Sequence, residues 1–210
     1  MVKALNIKAP DYCTSEQQYI FDVLLGDFLG LEFVVEYEQR DSIVISEYGS
    51  ATRQPALTLN TDFFKNANVN WLGKNSMPDN RKVNIDLSRS PLNSGHYPPC
   101  IPVLFGTPEI FSRDSGLHIA FDLFGTAFFL LSRYEEAILL NRDSHNRFPS
   151  TASTASKHGF LDRPLVNEYL EVLWTCLKQL FPKLVRSKRT FRNIVSCDVD
   201  HPIDQAFRAP

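Results

Sequence analysis

Apolar residues recur at helical spacing in the first part of the chain, at Ile20, Phe21, Leu24, Leu25 and Phe28. The spacing predicts a first helix, capped by Thr14 or Ser15, with Gln18 completing a capping box and Gly30 as its stop. The pattern then shortens. Glu32–Glu38, Ser42–Ser46 and Ala56–Asn60 are rich in β-branched residues and read as three strands, the first two forming a hairpin across Gln39–Asp41.

From Phe63 to Phe111 periodicity is lost among Asn, Ser, Gly and Pro. One apolar run there, Ile101–Phe105, fits a buried strand entered through Pro102. The rest is expected to be a loop excursion, either functional or packed at the surface by Trp71 and Tyr97. Ile119–Leu140 reads as one long helix with Ile119, Leu123, Ala127, Leu130, Leu131, Tyr134 and Ile138 on its stripe. Phe124, Phe128 and Phe129 widen that stripe, so the helix should be buried on more than one side, with Leu130 and Leu131 nearly inaccessible. Asn141–Ser156 is a polar loop. Pro164–Phe181 is a second helix, with Pro164 in its first turn and Pro182 ending it. Phe191–Cys197 has the character of a strand and leads into Asp198-Val199-Asp200-His201-Pro202. The expected fold class is α/β or α+β: a small mixed sheet with packed helices, with Phe191–Cys197 as its last strand candidate.

Composition narrows the function classes. The chain has 210 residues, 43% of them hydrophobic and 22% charged, enough for a self-sufficient core. A formal charge of −2 gives no electrostatic footprint for nucleic acid. The one basic cluster, Lys183 to Arg192, reads as a solvated connector after a helix. No apolar stretch reaches the roughly 18 residues of a membrane span, and the start lacks a secretory apolar region. Cys13, Cys100, Cys176 and Cys197 show no paired spacing, which suggests reduced thiols in a cytoplasmic protein.

Two aspartates separated by one residue, directly after an apolar strand, can reach one open space beyond the sheet. Oxygen ligands suit Mg²⁺ or Mn²⁺, and with imidazole they suit Zn²⁺. A polar turn is the plainer alternative. Haloacid-dehalogenase-like phosphatases use such a pair but usually carry Thr or Val where this chain has Pro202. A sugar-nucleotide glycosyltransferase should open with an apolar strand, whereas this chain is expected to open with a helix. It also has no glycine-rich phosphate loop.

Val195-Ser196-Cys197-Asp198-Val199-Asp200-His201-Pro202 resembles the first motif of bacterial polysaccharide deacetylases. The chain before it resembles the accessory region that precedes this motif among cell-surface polysaccharide biosynthesis proteins. The residues that carry this are Phe121-Asp122-Leu123-Phe124, Leu131 to Glu136 (LSRYEE), His145 to Phe148 (HNRF) and Gly159 to Pro164 (GFLDRP). The resemblance implies an N-terminal accessory domain over residues 1–190 followed, over 191–210, by the first strand of a truncated deacetylase-like β/α barrel. Carried over, Asp198 would be the general base and Asp200 the carboxylate ligand of a divalent metal, Zn²⁺ above others. The substrate would be an N-acylated amino sugar of a polysaccharide. The family completes its site with an HxxxH pair, which this sequence lacks, so the chain alone is expected to be inactive. A non-catalytic glycan-binding or scaffolding module is the alternative from another class. His201 is not one of the HxxxH pair, and His96 and His118 read as structural. Arg133, Tyr134, Glu135 and Glu136 are expected to form a docking surface for the catalytic domain, a glycan contact, or local ion pairs at a helix end.

Overall fold

A computed structural model describes residues 5–196 apart from 50–53, 93, 94, 96, 115, 189 and 191. The described chain opens with a strand. In β1 (Leu5–Pro10) Leu5, Ile7 and Ala9 are fully buried while Asn6 and Lys8 alternate outward, the two-residue period of a half-buried strand. The helix expected first comes second, as α1 (Thr14–Phe21), and continues as a π-helix over Asp22–Phe28. Its cap also differs from expectation. Cys13 holds the N-cap position at φ 49° with no side-chain cap bond, and Gln18 turns to Asp22 and Tyr37 instead of closing a capping box.

The next strands are β2 (Phe33–Glu38), β3 (Ser42–Glu47) and β4 (Leu57–Asn60). β2 and β3 do not form the expected hairpin, because β1 lies between them, parallel to β2 and antiparallel to β3. A strand whose inward side is wholly apolar takes a central position, and the sequence neighbours are pushed apart.

The stretch from Phe63 is also more regular than its composition implies. It holds α2 (Asp62–Asn70), β5 (Val83–Asp86), β6 (Cys100–Val103) and β7 (Gly106–Arg113). β5 and β6 make a separate two-stranded sheet in which Pro102 sits opposite Asn84, an edge setting that tolerates a missing N–H. The Pro102 carbonyl accepts the Tyr169 hydroxyl at 2.7 Å.

The single helix expected over Ile119–Leu140 is three elements. β8 (Gly116–Phe121) takes Ile119, since Leu117, Ile119 and Phe121 alternate inward against β4 and β7. α3 (Leu123–Leu131) follows, and Arg133 at φ 55° separates it from α4 (Tyr134–Ile138). The main sheet runs β2-β1-β3-β4-β8-β7. α3 is buried from Leu123 to Phe129 and touches α1, α2 and α4. Leu131, however, ends the helix at 39% exposure rather than inside the core.

The polar loop after α4 contains the short α5 (Thr154–His158). α6 (Leu165–Leu180), the second long helix expected, contacts α3, β4, β6 and β8. Pro164 is its N-cap residue. The fold is therefore a mixed α/β arrangement, with helices over one face of an open six-stranded sheet and no closed barrel among the described residues. Across the opposite face runs a cross-strand row, Glu36–Lys8–Val44–Thr58–His118–Phe111. No strand forms over 192–196. Among the described residues no helix is long and apolar enough to cross a membrane.

Candidate functional site

β1, β2, β4 and β8 run the same way, so their carboxyl ends share one edge, where α1, α2 and α3 begin. In open α/β sheets this edge is the usual place for ligands. Here its polar groups mostly satisfy one another. The Tyr12 hydroxyl and Thr61 Oγ1 lie 2.9 Å apart, Thr61 Oγ1 donates to the Asp41 carbonyl at 3.0 Å, and the Cys13 thiol points to the Phe64 carbonyl at 3.7 Å. Desolvation, helped by Glu16, pushes the Cys13 thiol up to about 11. It is a protonated thiol at neutral pH and a poor nucleophile.

Asp122 is the chemically unusual residue of the edge. It is fully buried. One carboxylate oxygen accepts the Gly125 N–H at 2.6 Å as the cap of α3, and the other accepts the Phe63 N–H at 2.9 Å in the first turn of α2. Gly125 makes this approach possible, because a Cβ there would stand 2.7 Å from Phe63 Cβ. Burial pushes the Asp122 carboxyl up to about 7, against the pull of the N–H donors and reinforced by Asp62. Its position inside the core fits an architectural clamp, not a group that meets substrate.

The other motif residues are junctions as well. Tyr134 is buried, accepts the Leu72 N–H at 2.6 Å and shares a 3.0 Å bond with Ser76 Oγ. Glu135 accepts both the N–H and the hydroxyl of Thr154, at 2.7 and 2.6 Å, which fastens α4 to α5. In the third motif, Asp143 accepts the N–H groups of His145 and Arg147, folding the loop on itself. In the fourth, Arg163 binds Glu168 through two bonds of 3.1 and 2.8 Å and also donates to the Cys100 carbonyl. Arg133 differs. Its side chain is 72% exposed and, among the described residues, pairs only with Glu136, three residues on. Beside it Leu131 is also exposed. His118 Nε2 meets Asn60 Oδ1 at 2.9 Å.

The residues assigned chemistry from the sequence, Asp198 and Asp200, lie outside the described residues, as do His201 and His96. The chain leading to them is described. Leu184 is buried and the Ser187 N–H donates to the Leu29 carbonyl at 2.8 Å, the last such main-chain bond in sequence among the described residues. Past it, Ile194 and Val195 stand 87% and 94% exposed. Among the described residues no group of three His, Cys, Asp or Glu side chains is gathered for a metal ion, and Cys13, Cys100 and Cys176 are free thiols.

The signals that sequence patterns missed were local. Asp122 could have been read as a helix cap once the helix start was placed correctly, and β1 from the alternation of Leu5, Ile7 and Ala9.

No curated protein and no solved structure matches the chain. A family model matches residues 5–182, which takes in every element from β1 to α6 and stops before the exposed segment. The chain belongs to that family, a family of unknown function designated DUF7033.

Proposed function

We propose that this chain is the N-terminal accessory domain of a cytoplasmic polysaccharide-deacetylase-like protein, with the catalytic domain starting at the strand before Asp198. The parent protein removes N-acyl groups from amino sugars of a surface polysaccharide or its precursor. The observation that carries the reading is the setting of Ile194 and Val195. Two β-branched apolar residues, almost wholly exposed, stand four and three positions before Asp198, the first of an Asp-x-Asp pair. Such residues suit a buried strand, and here they join no ladder of the described sheet. The family match ends at residue 182, upstream of that segment.

Asp198 would take the proton of the attacking water, and Asp200 would supply a carboxylate to the metal. A bound divalent ion such as Zn²⁺ provides Lewis acidity and a water of lowered pKa. Carboxylate with imidazole is a donor set that suits Zn²⁺. The sequence contains no HxxxH pair, so this chain by itself does not complete the site. The exposed Leu131 and Arg133 make up the face on which the catalytic domain docks.

The test is acetate release. The reading expects the coding sequence beyond Pro210 to encode an HxxxH pair, and the protein it encodes to release acetate from an N-acetylated amino-sugar polymer. Asp200→Ala should abolish that release. A stop codon directly after Pro210, or release indifferent to Asp200→Ala, overturns the reading.

A further inference from the structure

At the outer edge of the main sheet, β7 faces the end of β5 and the 3₁₀ turn Leu87–Arg89 across a groove of about 320 Å³. That is the small end of the roughly 300–1,000 Å³ typical of small-ligand sites. It has room for a short stretch of an oligomer, not for a large cofactor. The groove is built from two kinds of surface.

The apolar part comes from Ile85 and Ile110, both nearly buried, and from Phe111, 37% exposed. Phe111 is held from its own sheet. Its ring stacks on His118 at 4.8 Å with 28° between planes, and His118 is fixed in turn by Asn60. An aromatic ring locked this way presents apolar area without losing side-chain freedom on binding.

The polar part is charged and uneven. Asp86 accepts both the N–H and the hydroxyl of Ser88, at 3.1 and 2.6 Å, and pairs with Arg89 at 3.2 Å. Glu109 stands exposed on the opposite wall, beside a register shift in the β7–β8 ladder. No hydrogen bond or ion pair to another described residue occupies its carboxylate. One guanidinium against two carboxylates leaves the groove formally at −1.

A locked apolar plate edged by a carboxylate and a guanidinium matches the two sides of a pyranose ring. The C–H face of the sugar lies on apolar surface, and neighbouring hydroxyls meet groups that accept or donate in pairs. The surplus carboxylate adds a preference for a cationic sugar. We propose that this groove binds a chain of 2-amino sugars carrying free amines, with Phe111 as the stacking plate and Glu109 as the partner of the ammonium. The choice of sugar rests on the deacetylase reading: free-amine units are what that reaction leaves behind, so the accessory domain would hold the polymer by its processed part.

The experiment titrates this chain with glucosamine tetrasaccharide and with N-acetylglucosamine tetrasaccharide near pH 6, where the amines are protonated. Binding would be followed by calorimetry and by amide chemical shifts. The expected result is binding of the glucosamine tetramer at least tenfold tighter than of its acetylated counterpart. Glu109→Gln should remove that preference and Phe111→Ala should weaken both ligands. Both side chains are exposed, and circular dichroism would verify the fold of each variant. Binding of neither tetramer, equal binding of both, or binding untouched by the two substitutions overturns the proposal. Its failure is separable from failure of the deacetylase reading, which is decided by acetate release and Asp200→Ala.

Discussion

The Asp122 carboxylate accepts the backbone N–H of Phe63 at 2.9 Å from 59 positions away. With its bond to Gly125 this makes one buried side chain the cap of one helix and the anchor of another. The arrangement has a consequence for pH. Burial raises the carboxyl from 3.8 to about 7, so between those values the native state holds a proton that the unfolded chain has released. The native state then binds more protons, and its stability falls as pH rises through the window. Denaturant midpoints at intervals from about pH 4 to 7 should fall for the natural chain relative to Asp122→Asn, whose side chain does not titrate. The exposed Asp79 and Asp86 and the half-buried Asp143, whose pKa values are lowered by their hydrogen bonds, act in the opposite direction equally in both proteins. A constant difference between the two across the range would mean that Asp122 is ionised throughout.

Leu123 and Leu131 stand at the two ends of α3, with Leu123 fully buried and Leu131 39% exposed. Leu123→Ala leaves a cavity and should cost about 2–5 kcal/mol. Leu131→Ala in the same chain should cost well under that, about 1 kcal/mol or less, because solvent fills the gap. Arg133→Ala should be mild for the same reason, since its one ion pair is exposed. In a protein that carries the catalytic domain, Leu131→Ala and Arg133→Ala should both become harmful if that face is the docking surface. Thermal melts of both variants in both proteins would show it, and equal effects in the two settings would remove the docking assignment.

The same helix illustrates what was legible in the sequence. Strands β2, β3 and β4 and helix α6 follow from local period alone, because each shows one clean face. Ile119 to Leu131 does not: a strand that enters the core runs directly into a helix buried on several sides, so apolar residues are dense in both and neither period stands out. Only Asp122, a helix cap, marks the boundary. β1 carries a local alternation at Leu5, Ile7 and Ala9, but its insertion between β2 and β3 is a long-range pairing that no local pattern contains. In the candidate groove, Asp86 and Glu109 lie 23 positions apart in a stretch that seemed irregular, and only the tertiary fold sets them on facing walls. The Asp-x-Asp pair was visible from spacing.

Arg163 and Glu168 test whether the fourth motif is architectural. Glu168 is 8% exposed, and its two oxygens are met by the Arg163 guanidinium. Removing Arg163 strands a buried carboxylate and releases the Cys100 carbonyl of β6. Arg163→Ala should therefore destabilise by about 3 kcal/mol, toward the lower end for a broken buried pair because Arg163 itself is partly exposed. Arg163→Lys should recover little, since a single ammonium cannot reproduce the paired geometry. Urea unfolding of both variants decides this, and full recovery by lysine would show that charge alone matters there.

The exit of the chain from its core gives the sharpest test of the domain division. Leu184 is buried and Ser187 still donates to Leu29, where Gly30 leaves space for the crossing. A Cβ at Gly30, already at φ 64°, would come within 2.7 Å of Ser187 Cβ. Among the described residues beyond Ser187 none joins a ladder, and Lys188 and Arg192 are exposed. Brief trypsin treatment of this chain should cut after Lys188 or Arg192 and leave a stable fragment ending there, since cleavage follows backbone that is neither buried nor hydrogen-bonded. Gly30→Val should loosen the crossing and move the first cut upstream, toward Lys183 and Arg186. Ile194→Asp should leave the melting temperature of this chain unchanged, because an 87% exposed side chain has little to lose. In a protein that continues into the catalytic domain the same change would put a charge into a buried strand, and expression or folding should fail. Protection of 188–196 from trypsin here, or a marked fall in melting temperature with Ile194→Asp, would assign the segment to this domain and remove the division at its end.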